Sequence, residues 1–208
     1  MWPPAARRVA LPRLGQAGPV TRPEIWLCRH GETEWSRDGR HTGRTDLPLT
    51  PVGIDRARRL ASRLSGVAFD LVLTSPRRRS VDTAALAGFP EAIPEPAAEE
   101  WDYGEYEGLT TATIREKVPG WTVWTNPLPG GETAEQVGAR ADRLIDRLRG
   151  EAPTRALLFS HGHFVRVLAA RWIELPTTAG ARLLLDTGSV SVLGWEREVR
   201  AIKHWNTD

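Results

Sequence analysis

Cysteine occurs once in this chain, at Cys28, so no intrachain disulfide can form. A lone thiol fits a reducing cytoplasm. It sits inside an apolar run, which predicts a small inert core residue rather than a reactive one. Lysine is almost missing too: only Lys117 and Lys203 occur, and arginine carries the remaining positive charge. No apolar run reaches the length needed to span a bilayer, which argues against a membrane role. No continuous basic face is legible either. Arginines are interleaved with Asp and Glu, and the formal net charge is only +2, which argues against nucleic acid as a partner.

What is present reads as one ordinary globular domain. Hydrophobic residues make up 40% and charged residues 26% of 208 positions, enough apolar material for one sizeable core. Residues 1–23 differ. They are rich in Pro, carry Arg7, Arg8, Arg13 and Arg22, and contain no acid, with no apolar block of secretory-signal length. A disordered basic extension is expected there, followed by a single domain over 24–208.

The chain alternates between two periodicities. Short apolar runs at 24–29, 70–74 and 156–160 read as buried strands. Thr50-Pro51 supplies an N-cap and a first-turn proline for a helix ending near Gly66. Ser75-Pro76 is expected to open a helix reaching about Ala87. Residues 89–98, with three prolines, form a connector with room for a short strand. A weak helix is expected over 110–118. Thr133-Ala134-Glu135-Gln136 is a capping box for a helix stopped by Gly150. A further helix follows over 163–173. Residues 183–185, 190–195 and 199–205 read as closing strands, the last two as a hairpin. The order implies an α/β fold of three layers: a mostly parallel central sheet with helices on both faces.

Two of the buried strands end in histidine: Trp26-Leu27-Cys28-Arg29-His30-Gly31, and Leu158-Phe159-Ser160-His161-Gly162. In a parallel sheet these ends share one edge, where ligands bind. Gly31 is expected to let the chain turn through positive φ. Helix N-termini following Ser75 and His161 add free N–H groups there. Two arginines, two histidines and those N–H groups suit a compact oxyanion, most simply phosphate. A neutral imidazole can attack phosphorus, and a proton donor is then needed for the departing oxygen. The segment from Glu99 to Gly108 offers acids between aromatics, where burial is expected to keep a carboxyl protonated.

These motifs resemble the histidine phosphatase superfamily, the phosphoglycerate-mutase-like enzymes. The likeness runs in order through Arg29-His30-Gly31-Glu32-Thr33, the stretch from Gly43 to Gly53, Ser75 with Arg79 four residues on, Glu100 four residues before Gly104, and Ser160-His161-Gly162. The resemblance implies the phosphoglycerate-mutase-like fold. It implies His30 as the nucleophile that becomes phosphohistidine, and Arg29, Arg79 and His161 as the clamp on the phosphoryl oxygens. It makes Glu100 the general acid and later the base. Thr42, Gly43 and Gly162 fall where the family touches phosphate or substrate, and His163 is read either as a support behind the site or as a specificity wall. Ser36 departs from the family, where Asn commonly follows the Trp. No metal or organic cofactor is implied.

The acid and second-histidine segments are similar to those of acid phosphatases and sugar-bisphosphatases. This implies a metal-independent phosphatase acting on small phosphorylated metabolites through phosphohistidine, with a bell-shaped pH profile on the acidic side of neutrality. Two alternatives stand beside it. A mutase needs a carboxylate clamp, and 109–111 and 124–126 hold no Lys or Arg for one. A non-catalytic phosphate-binding module needs neither His30 nor Glu100. Trp101, Trp121 and Trp124 are expected near the site, with His41 at its entrance. A homodimer is left open.

Overall fold

The computed structural model describes residues 22–208. The expected extension therefore lies outside the described residues, apart from Arg22 and Pro23. Six strands form one sheet: β1 (Glu24–Arg29), β2 (Leu71–Thr74), β3 (Ile93–Pro94), β4 (Arg155–Ser160), β5 (Val190–Glu196) and β6 (Val199–Thr207), in the order β3-β2-β4-β1-β5-β6. The first four in that order run parallel, and β5 and β6 close one side as an antiparallel hairpin.

Side chains alternate across the sheet, and each face has its own core. Ile25 and Leu27 of β1, with Ala156 and Leu158 of β4, pack under α5 (Ala134–Glu151) and α6 (Gly162–Trp172). Cys28, Leu157 and Phe159 point the other way. They meet Leu60 and Leu64 of α2 (Pro51–Leu64) and Ala84 of α3 (Arg78–Leu86). The sandwich is therefore helix–sheet–helix. Cys28 is fully buried and its thiol pKa is pushed up to about 12 by burial, so it is packing material. Among the described residues, no helix is long and apolar enough to cross a membrane.

Several boundaries differ from the sequence reading. The loop expected over 32–49 contains a helical turn, α1 (Glu34–Arg37), held by a capping box between Thr33 and Ser36. α3 begins at Arg78, not at Ser75, because the Ser75 hydroxyl accepts the Arg77 N–H and holds the chain extended before the helix starts. α5 runs one residue past Gly150 and stops where Ala152 turns left-handed (φ 47°). Residues 183–185 form no strand; they follow a 3-10 stretch over Thr177–Arg182. The weak helix is α4 (Thr111–Lys117), with Thr110 as its N-cap.

Gly31 is not there for positive φ. It is absent from the left-handed positions and is needed for close approach instead. A Cβ on Gly31 would lie 2.3 Å from the Gly53 carbonyl oxygen, and one on Gly53 would lie 2.1 Å from that of Glu32. Two glycines thus let α2 press against the turn that follows β1. Gly53→Ala is expected to destabilise the fold by about 1–3 kcal/mol, as overpacking does. Gly150→Ala, whose Cβ meets nothing within 4 Å, serves as the contrast and is expected to leave stability unchanged or raise it. Urea midpoints measure both; equal midpoints for the two variants would refute this account.

Candidate active site

The carboxyl ends of β1, β2 and β4 meet at one sheet edge. Arg29 pairs in register with Ser160, the His30 N–H donates to Ser160 O (2.9 Å), and the Ser75 N–H donates to Phe159 O (2.9 Å). His30 and His161 are thereby brought together, with ring centroids 5.2 Å apart. Beside them opens a cavity of about 370 Å³ whose wall includes Arg29, His30, Glu100, Tyr103, Gly162 and His163.

His30 Nδ1 lies 2.7 Å from Gly31 O. A carbonyl only accepts, so Nδ1 carries the proton and Nε2 keeps its lone pair. Burial, then the charges of Arg79 and Arg29, hold the imidazole pKa well below its ordinary value. The ring is therefore neutral and nucleophilic at neutral pH. Next to it, Arg29 donates to Leu185 O (2.5 Å), while its buried Nε has no partner among the described residues. An orphaned guanidinium N–H costs free energy until an acceptor arrives.

Glu100 comes from the 95–102 segment, which α5 holds in place. Arg140 donates to the carbonyls of Ala97 and Glu99 (both 2.7 Å) and forms a fork with the Glu132 carboxylate. Glu132 in turn accepts the Asp102 N–H, and its carbonyl accepts Trp101 Nε1–H. The Glu100 carboxylate then meets the N-terminus of α6. Oε1 accepts the Trp101 and Phe164 N–H groups (both 2.9 Å), and Oε2 accepts only that of His163 (3.0 Å). The side chain of His161, the N-cap residue, makes no capping bond, so Glu100 supplies the cap from another segment. The free N–H groups expected to face the ligand are thus spent largely on the acid.

Arg79 and His161 stand one layer behind the cavity. Arg79 is fully buried and has no carboxylate partner among the described residues. Its Nε–H donates to His161 Nδ1 (3.2 Å), and its terminal nitrogens donate to the carbonyls of Thr42, Gly43 and Thr45 (2.9–3.0 Å). Since His161 Nδ1 accepts, its Nε2 carries a proton and donates to Ser75 Oγ at 2.7 Å. Four of the five guanidinium N–H groups of Arg79 are committed, which leaves one on NH1.

Of the remaining expected residues, Thr42 and His163 line the cavity, whereas Gly43 does not: its N–H donates to the Glu107 carboxylate. Ser36 lines the cavity with its hydroxyl occupied by the Thr33 cap. His41 lies in the wall, stacked against Tyr103 (4.7 Å), and Trp121 and Trp124 complete it. Trp101 is one layer deeper, edge-on to Trp124. Sequence reasoning missed Tyr103, whose hydroxyl pairs with His163 Nδ1 at 2.7 Å. It also missed Arg40, Arg115 and Arg166, all in the wall. For Arg166 a signal existed: it follows the expected His163 by three residues, on the same face of α6.

The comparisons with known proteins agree with this geometry. A family model of the histidine phosphatase superfamily (branch 1) matches residues 25–208. The chain belongs to that superfamily. An acid phosphatase of Mycobacterium tuberculosis is 44% identical over 186 residues, covering 88% of this chain and 92% of that one. The sedoheptulose 1,7-bisphosphatase of Saccharomyces cerevisiae is 33% identical over 189 residues, covering 76% and 70%. A solved structure of an open reading frame of M. tuberculosis superposes with a TM-score of 0.85 at 41% identity, covering 88% of this chain and 97% of that one. The fold is therefore the one shared by this histidine phosphatase and its relatives.

Four imidazoles in or beside the cavity are held neutral. Burial is the largest cause at His30, His41, His161 and His163, and His41 is brought down to about 4. Below its ordinary pKa of 6.5, such a group binds a proton in the unfolded chain that it refuses when folded. Stability must therefore fall as pH drops through 6.5, and the His41 contribution stops growing near 4. Between about pH 7.5 and pH 5.0, His41 alone should cost about 2 kcal/mol. Urea titrations at both pH values test this. His41→Asn should shrink the pH-dependent loss by that amount; an unchanged loss would contradict it.

Proposed function

We infer that this histidine phosphatase hydrolyses phosphomonoesters of small metabolites by passing the phosphoryl group through His30. The enzyme is a phosphoric monoester hydrolase. The observation that carries the residue assignment is the His30 Nδ1–H bond to Gly31 O, which leaves an unprotonated Nε2 beside the orphaned Nε–H of Arg29.

In the first half-reaction, the Nε2 lone pair forms a bond to phosphorus as the bond to the ester oxygen breaks. That oxygen takes a proton from Glu100. Oε2, which accepts a single N–H, is the oxygen with capacity to carry it. In the second half, water attacks phosphorus, the P–N bond breaks, and Glu100 takes the proton from the water. Arg29 lines the cavity and meets the phosphoryl oxygens there; Arg79 and His161, one layer behind, contribute when the uncommitted N–H of Arg79 and the Nε2–H of His161, now on Ser75 Oγ, turn to the arriving group. Fixed donors aimed at that charge supply most of what phosphoryl transfer needs. Arg40 and Arg115 are exposed where they line the cavity, so its mouth is open to water; this favours hydrolysis over a mutase. A cytoplasmic location is consistent with the single buried thiol of Cys28.

Release of nitrophenol from p-nitrophenyl phosphate tests the reading. Wild type should turn over and form an acid-labile, alkali-stable phosphoenzyme; His30→Ala should do neither. Glu100→Gln should lower kcat for an alkyl phosphate by about 10²–10⁴, and for p-nitrophenyl phosphate by less, because nitrophenolate departs without a proton. The lowered pKa of His30 keeps the nucleophile unprotonated below pH 6.5, so kcat/KM should hold as pH falls through that value. A decline set by an enzyme group of pKa 6.5 or above, after division by the fraction of substrate dianion, would count against His30. With 3-phosphoglycerate and bisphosphoglycerate primer, glycerate and phosphate are expected rather than 2-phosphoglycerate.

A further inference from the structure

Gly43 lies outside the cavity, yet its loop is bonded on two sides. The residues over 42–46 run between a carboxylate and two guanidinium groups. On one side Glu107 accepts the Gly43 N–H with both oxygens (2.9 and 3.0 Å) and the Thr45 N–H with Oε1 (3.0 Å). On the other, the carbonyls of Thr42, Gly43 and Thr45 accept from Arg79, and that of Arg44 accepts from Arg77 at 3.0 Å. The approach is close: a Cβ on Gly43 would lie 2.6 Å from Trp101 O and 2.9 Å from Glu107 Oε2. The same loop holds the start of the helix that carries Arg79, because Asp46 accepts the Arg78 N–H at 2.9 Å.

These bonds share peptide groups. The Gly43 N–H and the Thr42 carbonyl belong to one peptide, whose hydrogen is on Glu107 and whose oxygen is on Arg79. The Thr45 N–H and the Arg44 carbonyl make a second such unit, between Glu107 and Arg77. A peptide is planar with its N–H and C=O pointing opposite ways, so fixing one end fixes the other. Its dipole also has the favourable sense, positive end on the carboxylate and negative end on the guanidinium, and hydrogen bonds in a chain polarise one another. Glu107 is itself held firmly. Its segment is tied to His41 by the Gly108 N–H to His41 O (2.8 Å) and the His41 N–H to Leu109 O (2.9 Å). Its carboxylate is half-buried, pairs with no cation among the described residues, and does not line the cavity.

We propose that Glu107 is a positioning residue for phosphoryl transfer. Through the Thr42–Gly43 peptide its carboxylate aligns and polarises an acceptor of Arg79, which keeps that guanidinium set for the phosphoryl group. The proposal rests on the phosphatase reading above and adds to it the carboxylate that Arg79 lacks by direct contact. The indirect route has a chemical advantage. A carboxylate touching Arg79 would take the N–H left on NH1 and repel an incoming dianion at short range. One peptide away, Glu107 leaves that N–H uncommitted, and its repulsion falls with distance.

The test uses the full-length enzyme with p-nitrophenyl phosphate, an alkyl phosphate, and vanadate as a mimic of the phosphoryl group in transfer. Glu107→Gln keeps the shape of the side chain, removes its charge, and leaves one acceptor oxygen for two loop N–H groups. Weakening one charge-assisted contact of the clamp should lower kcat/KM per folded enzyme by about tenfold for both substrates alike, and raise the vanadate Ki by a similar factor. A disturbance of Glu100 would instead fall harder on the alkyl phosphate. In an Arg79→Lys background, which removes the fork that the loop holds, Glu107→Gln should add less than about a twofold further loss of vanadate affinity. Circular dichroism and urea midpoints report folding. If Glu107→Gln does not fold, Glu107→Asp, one methylene short of the loop, carries the same expectation; if Arg79→Lys does not fold, the single-variant measurements decide. Wild-type kcat/KM and vanadate Ki in the folded Glu107 variant, whatever its urea midpoint, would make Glu107 a brace of the fold alone and overturn the proposal. So would a loss confined to the alkyl phosphate, or the full loss repeated in the Arg79→Lys background. Each of these leaves the phosphatase reading standing. A wild-type enzyme that neither turns over p-nitrophenyl phosphate nor binds vanadate would overturn both.

Discussion

A buried guanidinium with no carboxylate beside it organises this molecule. Burying a charge is costly unless its donors are satisfied and some opposite charge is near. Arg79 meets the first condition with three loop carbonyls and the Nδ1 of His161. The second it meets only at a distance: no carboxylate contacts it among the described residues, and Glu100 and Asp46 act on it through space. Those bonds have structural consequences. They hold the loop carrying Thr42 against the sheet edge, and they fix which nitrogen of His161 carries a proton. Together with burial, the charge of Arg79 keeps His30 and His161 neutral. The charge of Arg79 therefore lies one layer behind the cavity wall, held there by neutral acceptors.

The acid is positioned by a separate chain of contacts. Arg140 of α5 grips the carbonyls of the 97–99 segment and the Glu132 carboxylate, and Glu132 holds the backbone at Asp102. Between these anchors, Glu100 caps α6, the helix that begins at His161. His30 and Glu100 therefore reach the cavity from separate segments, each with a fixed backbone partner. Gly104 shows how tight this packing is. It adopts φ +54°, and a Cβ there would lie 2.1 Å from the Pro129 carbonyl oxygen.

Much of this was legible from local pattern. The strands at 24–29 and 155–160, the proline-started α2 and the capping box of α5 follow from periodicity and capping chemistry, which operate within a few residues. The motif order placed His30, Arg29, Glu100 and His163 at one cavity. What was misread depended on distant partners. Ser75 looked like a helix start, but its hydroxyl is engaged by His161 and the Arg77 N–H. Gly31 looked like a turn residue, but it serves a contact with Gly53. Residues 183–185 looked like a strand, but they follow the 3-10 stretch over Thr177–Arg182, and the Leu185 carbonyl is used by Arg29.

Alternation, caps and short motifs are written over neighbouring residues, and they carried most element types, the two-faced sheet and the family to which the motifs belong. Which arginines line the cavity and which stay behind it was fixed only by assembly of the fold. Assembly also fixed which nitrogen of His30 and of His161 is protonated and which buried N–H groups lack a partner among the described residues. Those properties depend on atoms from segments up to more than a hundred residues apart, as when the Leu185 carbonyl meets Arg29. Hydrogen-bond satisfaction and burial are properties of the assembled site, and no local pattern encodes them.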